Sequence, residues 1–533
     1  MSVPFLGSEK TLKIGENAMP NHDFSFALEK PLSALLNKAA HDFQRADFVK
    51  IIEQRKIERI TFHYTGLDGH LKELKFPIPN RRRAEVVLAE GERADGSSLF
   101  KGLVDASLSD LYVVPDYKTA FLNPFDDCSL DFICRYLTRD GSRAAFALDN
   151  ILANANFHFE QSTGLELFAL GELEFYLLLD KNPNIFQLKK QQGYHESAPF
   201  IKGGEILDEI VHYITQITGA VKYSHSEVGY MDDLKSDLAE INGKSVEQLE
   251  VEFLSRPIVE MADVVMLGRW IIRNVAHQYG CLATFTPKIE KGIAGNGLHF
   301  HLELMKKGQN IMLAESHILS EAARRLVGGL CEYADTLTAF GNTVPSSYLR
   351  LVPKQEAPTR IFWSDLNRSA LIRVPLAWSD IKDLAKKINP QEMNEINDFR
   401  SKQTVELRSP DGSALVHLLL AGIVLAAEWG FRDERSLELA DKLYGEADIN
   451  KDKKKLSSFP QLPSSCVESS RLLAKKRDLY ERNGIFPSSI IDYVIDMLKN
   501  EDDANLSTKL ERLAGNDFLK EVRKIMHRHL HRH

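Results

Sequence analysis

The sequence predicts a globular protein of two or more domains with mixed α and β structure. Three observations carry this reading. Its 533 residues are too many for one ordinary core. A hydrophobic content of 44% beside 27% charged residues is that of a soluble chain. Strand-like text from Ile51 to about Arg139 gives way, near residue 140, to helices and strands that interleave.

Taken in order, residues 1 to about 50 mix helical patterning with turns. RITFHYTG then alternates, passes the Asp68-Gly69 turn and continues as HLKELKFPIP, the pattern of a β-hairpin. LYVVPD and the Asn123-Pro124-Phe125 turn extend this β-rich unit, and TRDGSR marks its boundary. Ile206, Leu207, Ile210, Val211, Ile214 and Ile217 fall at helical spacing, with Gly219 as the stop. Ser255 and Pro257 open another helix, with Ile258, Met261, Val265, Ile272 and Val275 on one face and Gly280 closing it. The apolar run Ala414 to Ala427, interrupted by His417, is too short for a bilayer and reads as a buried helix. From Phe431 the text is helical and charged, with a loop at SSFPQLPSS.

Several function classes lose support. The net charge is −8, and Arg81-Arg82-Arg83 and the Lys451 to Lys455 cluster read as solvated loops, so neither nucleic acid nor membrane is expected as a partner. Five cysteines without a CxxC pair suit a reducing compartment. The opening MSVPFLGSEKTLKIG lacks the pattern of a signal peptide, and a cytoplasmic location is expected. No GxxxxGK[ST] occurs, and Gly292, Gly295 and Gly297 precede a strand where a dinucleotide fingerprint would precede a helix. HRHLHRH reads as a ragged basic tail.

The chemistry lies in four strands with one charged face each. Glu172 and Glu174 alternate with Leu173 and Phe175. His299, His301 and Glu303 alternate with Leu298, Phe300 and Leu302. Gln248, Glu250 and Glu252 alternate with Leu249, Val251 and Phe253, and Glu406 and Arg408 with Val405 and Leu407. A solvated face would carry Thr and both signs of charge, because packed like charges repel. Carboxylates crowd together stably around a cation, and oxygen ligands with a single imidazole favour Mg²⁺ or Mn²⁺ over zinc. Arg350, Arg368 and Arg373 sit in strand-like, otherwise apolar text and, with Arg408, suit carboxylate or phosphate recognition. Acids gathered for metal and arginines gathered for oxyanions point to phosphoryl transfer.

The ordered motifs GELEF, SHSEV, EQLEVEF, TPK…GNGLHFH, SSYLRLVPKQEAP, NRSALIRVP and TVELRSPD resemble the glutamine synthetases of bacterial type, across roughly residues 90 to 500. RADGSSLFKG resembles that family's DGSS segment, and LPSSCVESSRLLAKKRDLYERNGIF its C-terminal region. The resemblance implies an α+β fold with a β-grasp-like domain in residues 1–140. Residues 141–533 would form a larger catalytic domain whose antiparallel sheet lines the active site. It implies ligation of ammonia to the γ-carboxylate of glutamate through an acyl phosphate, with ATP as co-substrate and two or more Mg²⁺ or Mn²⁺ ions per site. By position, Glu174, Glu227 and Glu250 resemble ligands of one metal, and Glu172, His299 and Glu406 those of a second. Arg350 and Gly295 resemble glutamate-binding residues. Arg368, Arg373 and Arg408 resemble those contacting the phosphates, and His301 a histidine near the nucleotide. Glu356 resembles the flap glutamate, and Asp95 an aspartate lent by a neighbouring subunit of a hexameric or dodecameric ring. A γ-glutamyl-amine ligase and a non-catalytic ring-forming relative are the alternatives. Ala294 stands in place of the family's asparagine, Lys354 and Gln355 replace its Gly-Tyr, and GYMDDLKSDLAEINGKSV reads as an inserted excursion that could reshape the substrate entrance.

Overall fold

The computed structural model describes residues 26–105, 109–181, 186–315, 318–352, 357–376, 384–393, 402–446 and 449–532. The N-terminal unit is built on strands β1 (Arg59–Thr65), β2 (Leu71–Pro77), β3 (Glu92–Asp95), β4 (Asp110–Pro115), β5 (Phe121–Leu122) and β6 (Ser129–Leu137). Their order is β2-β1-β6-β4-β3, with β5 beside β6. β1 and β2 form the expected antiparallel hairpin, Arg59 opposite Pro77 and Thr65 opposite Leu71. Gly69 turns it at φ +77°, a conformation that costs glycine nothing because it lacks a Cβ. The helix Arg45–Arg55 lays Phe48, Val49, Ile51 and Ile52 on this sheet, and the Phe48 and Phe132 rings meet edge to face with centres 4.9 Å apart. Both basic clusters expected in loops lie largely on helices. Arg81-Arg82-Arg83 opens the helix Arg81–Glu90, where Asn80 caps the Arg83 N–H, and Asp452 caps the helix Lys453–Ser458.

A second, ten-stranded sheet carries β7 (Glu166–Leu179), β8 (Val221–Met231), β9 (Ser245–Phe253), β10 (Arg256–Pro257), β11 (Leu282–Thr284) and β12 (Leu298–Lys306). It is completed by β13 (Gln309–Asn310), β14 (Trp363–Asp365), β15 (Ile372–Val374) and β16 (Val405–Leu407). The path is β14-β15-β16-β12-β7-β9-β8, antiparallel except between β14 and β15. Period-two alternation sends Leu173, Phe253 and Phe300 to one face, where all three are fully buried. Each such burial contributes about 1.5–3 kcal/mol. The helices Gly204–Thr218 and Ile258–Gln278 cover that face. A Cβ on Gly268 would stand 3.2 Å from Phe253 Cζ and 3.5 Å from Leu173 Cδ2, so glycine lets the helix close on the sheet.

The first of these helices ends on Gly219, as its spacing predicts. The second begins later than expected: Arg256–Pro257 pair with β7 as β10, which makes Pro257 the cap and not part of the first turn. The apolar run is the buried helix Val416–Arg432. Among the described residues, no helix is long and apolar enough to cross a membrane. The supposed excursion is a hairpin connection between β8 and β9 that folds back on the body. Leu234 and Ile241 bury against Tyr176 and Val246 instead of standing at an entrance.

The C-terminal segment is docked and not ragged. Its acidic surroundings and one apolar residue account for the difference. His527 is buried, with Nε2 2.8 Å from the Ile289 carbonyl. Leu530 inserts beside Tyr176 and Ile293, and its carbonyl accepts from Thr284 Oγ1 at 2.7 Å. His529 and Arg532 both meet Glu501.

Candidate active site

Strand register brings the charged residues together. Across the β7–β12 ladder Glu172 faces His299, and across β7–β9 Glu172 faces Glu252 while Glu174 faces Glu250. His301 faces Glu406 across β12–β16, Arg373 faces Glu406 across β15–β16, and His225 faces Glu250 across β8–β9. Six neighbouring strands, β15, β16, β12, β7, β9 and β8, thus turn one polar face toward the same place. Glu227 falls where the β8–β9 register shifts between Ser226 and Tyr230, an irregularity that re-aims a side chain from the edge strand.

At the β12 side, Glu172 bridges both imidazoles: Oε2 is 2.9 Å from His299 Nδ1 and Oε1 is 2.8 Å from His301 Nε2. His301 Nδ1 meets Thr404 Oγ1 at 2.9 Å. Glu406 accepts from Arg373 Nη1 at 2.9 Å and from Arg408 Nη1 at 2.5 Å. Burial opposes the charge of Glu172, but His301 and His299 outweigh it and hold the carboxyl well below its ordinary range. The β9 side lacks such compensation. Burial, followed by the charge of Glu227, pushes Glu174 up to about 8. Burial and then Glu172, Glu174 and Glu227 raise Glu250 well above the usual value.

Three sets of ligand atoms each lie within 4.8 Å: Glu172, His299 and Glu406; His225, Glu227 and Glu250; and Glu172, Glu250 and Glu252. Buried carboxylates that face one another must take up protons or share a cation. Their oxygens with imidazole nitrogen fit Mg²⁺ or Mn²⁺.

Next to these acids lies a cavity of about 260 Å³, lined by Glu174, Glu227, Lys288, Gly295, Arg350 and Arg408 among others. Arg350 ends the short helix Pro345–Arg350 and is not on a strand, because Pro345 supplies a helix start within the apolar text. Its Nη1 donates to the Ser409 carbonyl at 2.9 Å, and Nη2 lies 3.1 Å from His299 Nε2. Close approach needs glycine on the facing loop. A Cβ on Gly295 would stand 2.9 Å from Arg350 Cγ, and one on Gly297 would overlap His299 Nε2.

Most of the residues singled out in the sequence converge here, with exceptions. Glu174 turns its Oε2 to Gln248 Nε2 at 2.9 Å and the Gly297 N–H at 3.0 Å, so His225 takes its place beside Glu227 and Glu250. Arg368 is exposed on the turn between β14 and β15, not on a strand. Asp95 closes β3, exposed, and caps its own turn, accepting from Ser97 N at 2.9 Å and Ser98 Oγ at 2.6 Å. The Ser98 hydroxyl and then that of Ser97, 2.7 Å from Oδ1, hold its carboxyl down to about 2. Glu356 lies outside the described residues. His225 was open to discovery from its place two residues before Glu227; Glu252, in the same alternation as Glu250, is tied to Lys222.

A six-stranded unit beside a helix-backed antiparallel sheet with an acidic face defines an α+β protein of the β-grasp-plus-catalytic-sheet class. Residues 56–139 match the glutamine synthetase beta-Grasp domain, and residues 150–514 the glutamine synthetase catalytic domain. The chain belongs to the glutamine synthetase family, a family of ligases. Glutamine synthetase of Pyrococcus horikoshii is 30% identical over 380 residues, 71% of this chain and 75% of that protein. Glutamine synthetase of Methylococcus capsulatus is 28% identical over 481 residues, 85% of this chain and 95% of that one. A 3-hydroxylaminophenol mutase of Cupriavidus pinatubonensis is also similar, 27% identical over 486 residues, 86% and 95% of the two chains. The fold matches that of Plasmodium falciparum glutamine synthetase with a TM-score of 0.68 at 21% identity, over 89% of this chain and 98% of that one. It matches ligand-free GmaS at 0.67 and 20% identity, over 88% and 97%.

Proposed function

We propose that this protein joins ammonia to the γ-carboxylate of glutamate at the expense of ATP. The observation that carries the reading is the convergence of Glu172, Glu250, His299 and Glu406 on one sheet face, with Arg350, Arg373 and Arg408 beside them. A carboxylate is a poor electrophile, and its phosphorylation by ATP creates a leaving group that ammonia displaces. Mg²⁺ or Mn²⁺ held by Glu172, His299 and Glu406, and by Glu227 and Glu250 with Glu174 or His225, would supply charge neutralisation for the phosphates. Arg350 holds the acid's far carboxylate beside Gly295. Arg373 and Arg408, anchored on Glu406, meet the phosphoryl oxygens, and Arg368 meets the phosphates from its turn. His301, oriented by Thr404, stands at the nucleotide side.

Asp95 is exposed, which suits donation to a neighbouring subunit's site in a ring of six or twelve copies. Asp95 and Glu356 would attract ammonium and assist its loss of a proton. A second reading is a ligase that joins glutamate to an amine, favoured by Ala294 in the acid pocket.

Phosphate release with ATP, Mg²⁺ and glutamate tests both. Release that requires ammonium supports the first reading; release with an amine alone moves it to the second. Absence of release with every nitrogen donor sinks the ligase reading.

A further inference from the structure

One wall of the cavity is made by Ile293, Ala294 and Gly295 and by Gln191, which arrives from the segment between β7 and the helix Gly204–Thr218. That segment is built in. His195 N donates to the Ser226 carbonyl at 2.9 Å and Gln191 N to the Tyr230 carbonyl at 3.2 Å, on either side of Glu227. A Cβ on Gly193 would stand 2.5 Å from the Glu227 carbonyl oxygen, so the chain lies directly against β8. Glu247 accepts from Lys202 N at 2.9 Å and Gly203 N at 2.8 Å, anchoring the segment's other end. Gln191 itself is held at φ +62°, an uncommon conformation for a residue other than glycine.

Its side-chain amide has one defined orientation. The Ala294 N–H can only donate, so the atom facing it at 3.0 Å is Oε1, and Nε2 is left without a partner among the described residues. The wall's carbonyls are already engaged. Ile293 O accepts from Lys288 Nζ, Ala294 O from Tyr176 Oη, and Gly295 O from Gln248 Nε2 at 3.2 Å. Each of these carbonyls thus already accepts one bond, whereas Gln191 Nε2 keeps its N–H groups to give, in the cavity that Arg350 also lines.

We infer that Gln191 determines substrate specificity: its Nε2 donates to an oxygen at the non-reacting end of the acid. The inference rests on the ligase reading and narrows its substrate class to acids with an acceptor-bearing far end.

Gln191→Glu is the informative variant, because a carboxylate still accepts from Ala294 N but replaces the free donor with an acceptor. A merely structural role predicts unchanged binding in it. Calorimetry on the full-length protein with Mg²⁺ and a non-hydrolysable ATP analogue would compare glutamate with glutarate, its analogue without the amino group. Gln191→Glu should weaken glutamate, and glutarate where it binds, at least about tenfold with nucleotide affinity unchanged. Gln191→Leu, which also breaks the bond to Ala294, should weaken both acids as well. Parent-like binding in both variants overturns the inference, as does a parent protein that binds neither acid. Binding that follows Gln191 without phosphate release to any nitrogen donor would sink the ligase reading and leave this one standing. Ammonium-dependent release with unchanged acid affinity in the variants would do the reverse.

Discussion

Glu172 and His299 stand directly opposite each other across the β7–β12 ladder, with Oε2 2.9 Å from Nδ1. The same carboxylate reaches His301, so one acid on the central strand orients both imidazoles of its neighbour. Glu174, two residues on and on the same face, instead meets the acids of β9. One face thus holds a charge-compensated half and a half with excess negative charge.

That asymmetry gives a pH dependence. In the folded protein Glu174 titrates near 8, raised from 4.5 first by burial and then by Glu227, and Glu250 is raised for the same kinds of reason. On unfolding both return toward 4.5, so between these values the folded state binds more protons than the unfolded one. Metal-free stability should therefore fall as pH rises from 5 to 8. Mg²⁺ or Mn²⁺ displaces those protons, and the gain in melting temperature on adding either ion should be larger at pH 8 than at pH 6. Calorimetric scans with and without a chelator measure it; an equal gain at both pH values contradicts the assignment.

Gly297→Ala places a Cβ against His299 Nε2 and 2.9 Å from Arg350 Nη2. The site must give way, while the helix-backed face of the sheet is untouched. The expected result is at least about a hundredfold loss of activity, with a stability cost of about 1–3 kcal/mol. Activity assays and urea unfolding on one preparation check both; activity near that of the parent would show that the imidazole and guanidinium need not be so placed.

Arg135 of β6 links the N-terminal unit to the rest. It lies 3.0 Å from Asp263 Oδ1 on the helix Ile258–Gln278, 3.4 Å from Asp116 and 3.8 Å from the buried Asp149. Arg135→Met leaves these acids without their cation and should cost about 3–5 kcal/mol in urea unfolding. Adding Asp263→Asn should restore part of the loss. A single-variant cost below about 1 kcal/mol would mean the cluster is dispensable.

The alternation of Glu172 with Leu173, or of His299 with Phe300, was legible because a strand has a period of two, and that was enough to assign a charged and a buried face. Register was not legible: that Glu172 meets His299, or Glu174 meets Glu250, depends on long-range pairing that no local pattern encodes. Arg350 shows the limit of local reading, since Pro345 turned apparently strand-like text into a helix end. The C-terminal HRHLHRH was misread because its partners, Glu501 and the Ile289 carbonyl, are distant in sequence. Gln191 left no signal in composition or spacing; it matters only because its segment lies along β8 and touches Ala294.

Anomalous diffraction from crystals grown with Mn²⁺ tests the central claim most directly. Peaks are expected among Glu172, His299 and Glu406 and beside Glu227 and Glu250, all on the polar face of the β7–β9–β12 sheet. Strong Mn²⁺ peaks elsewhere with none on that face, at saturating ion, would contradict it.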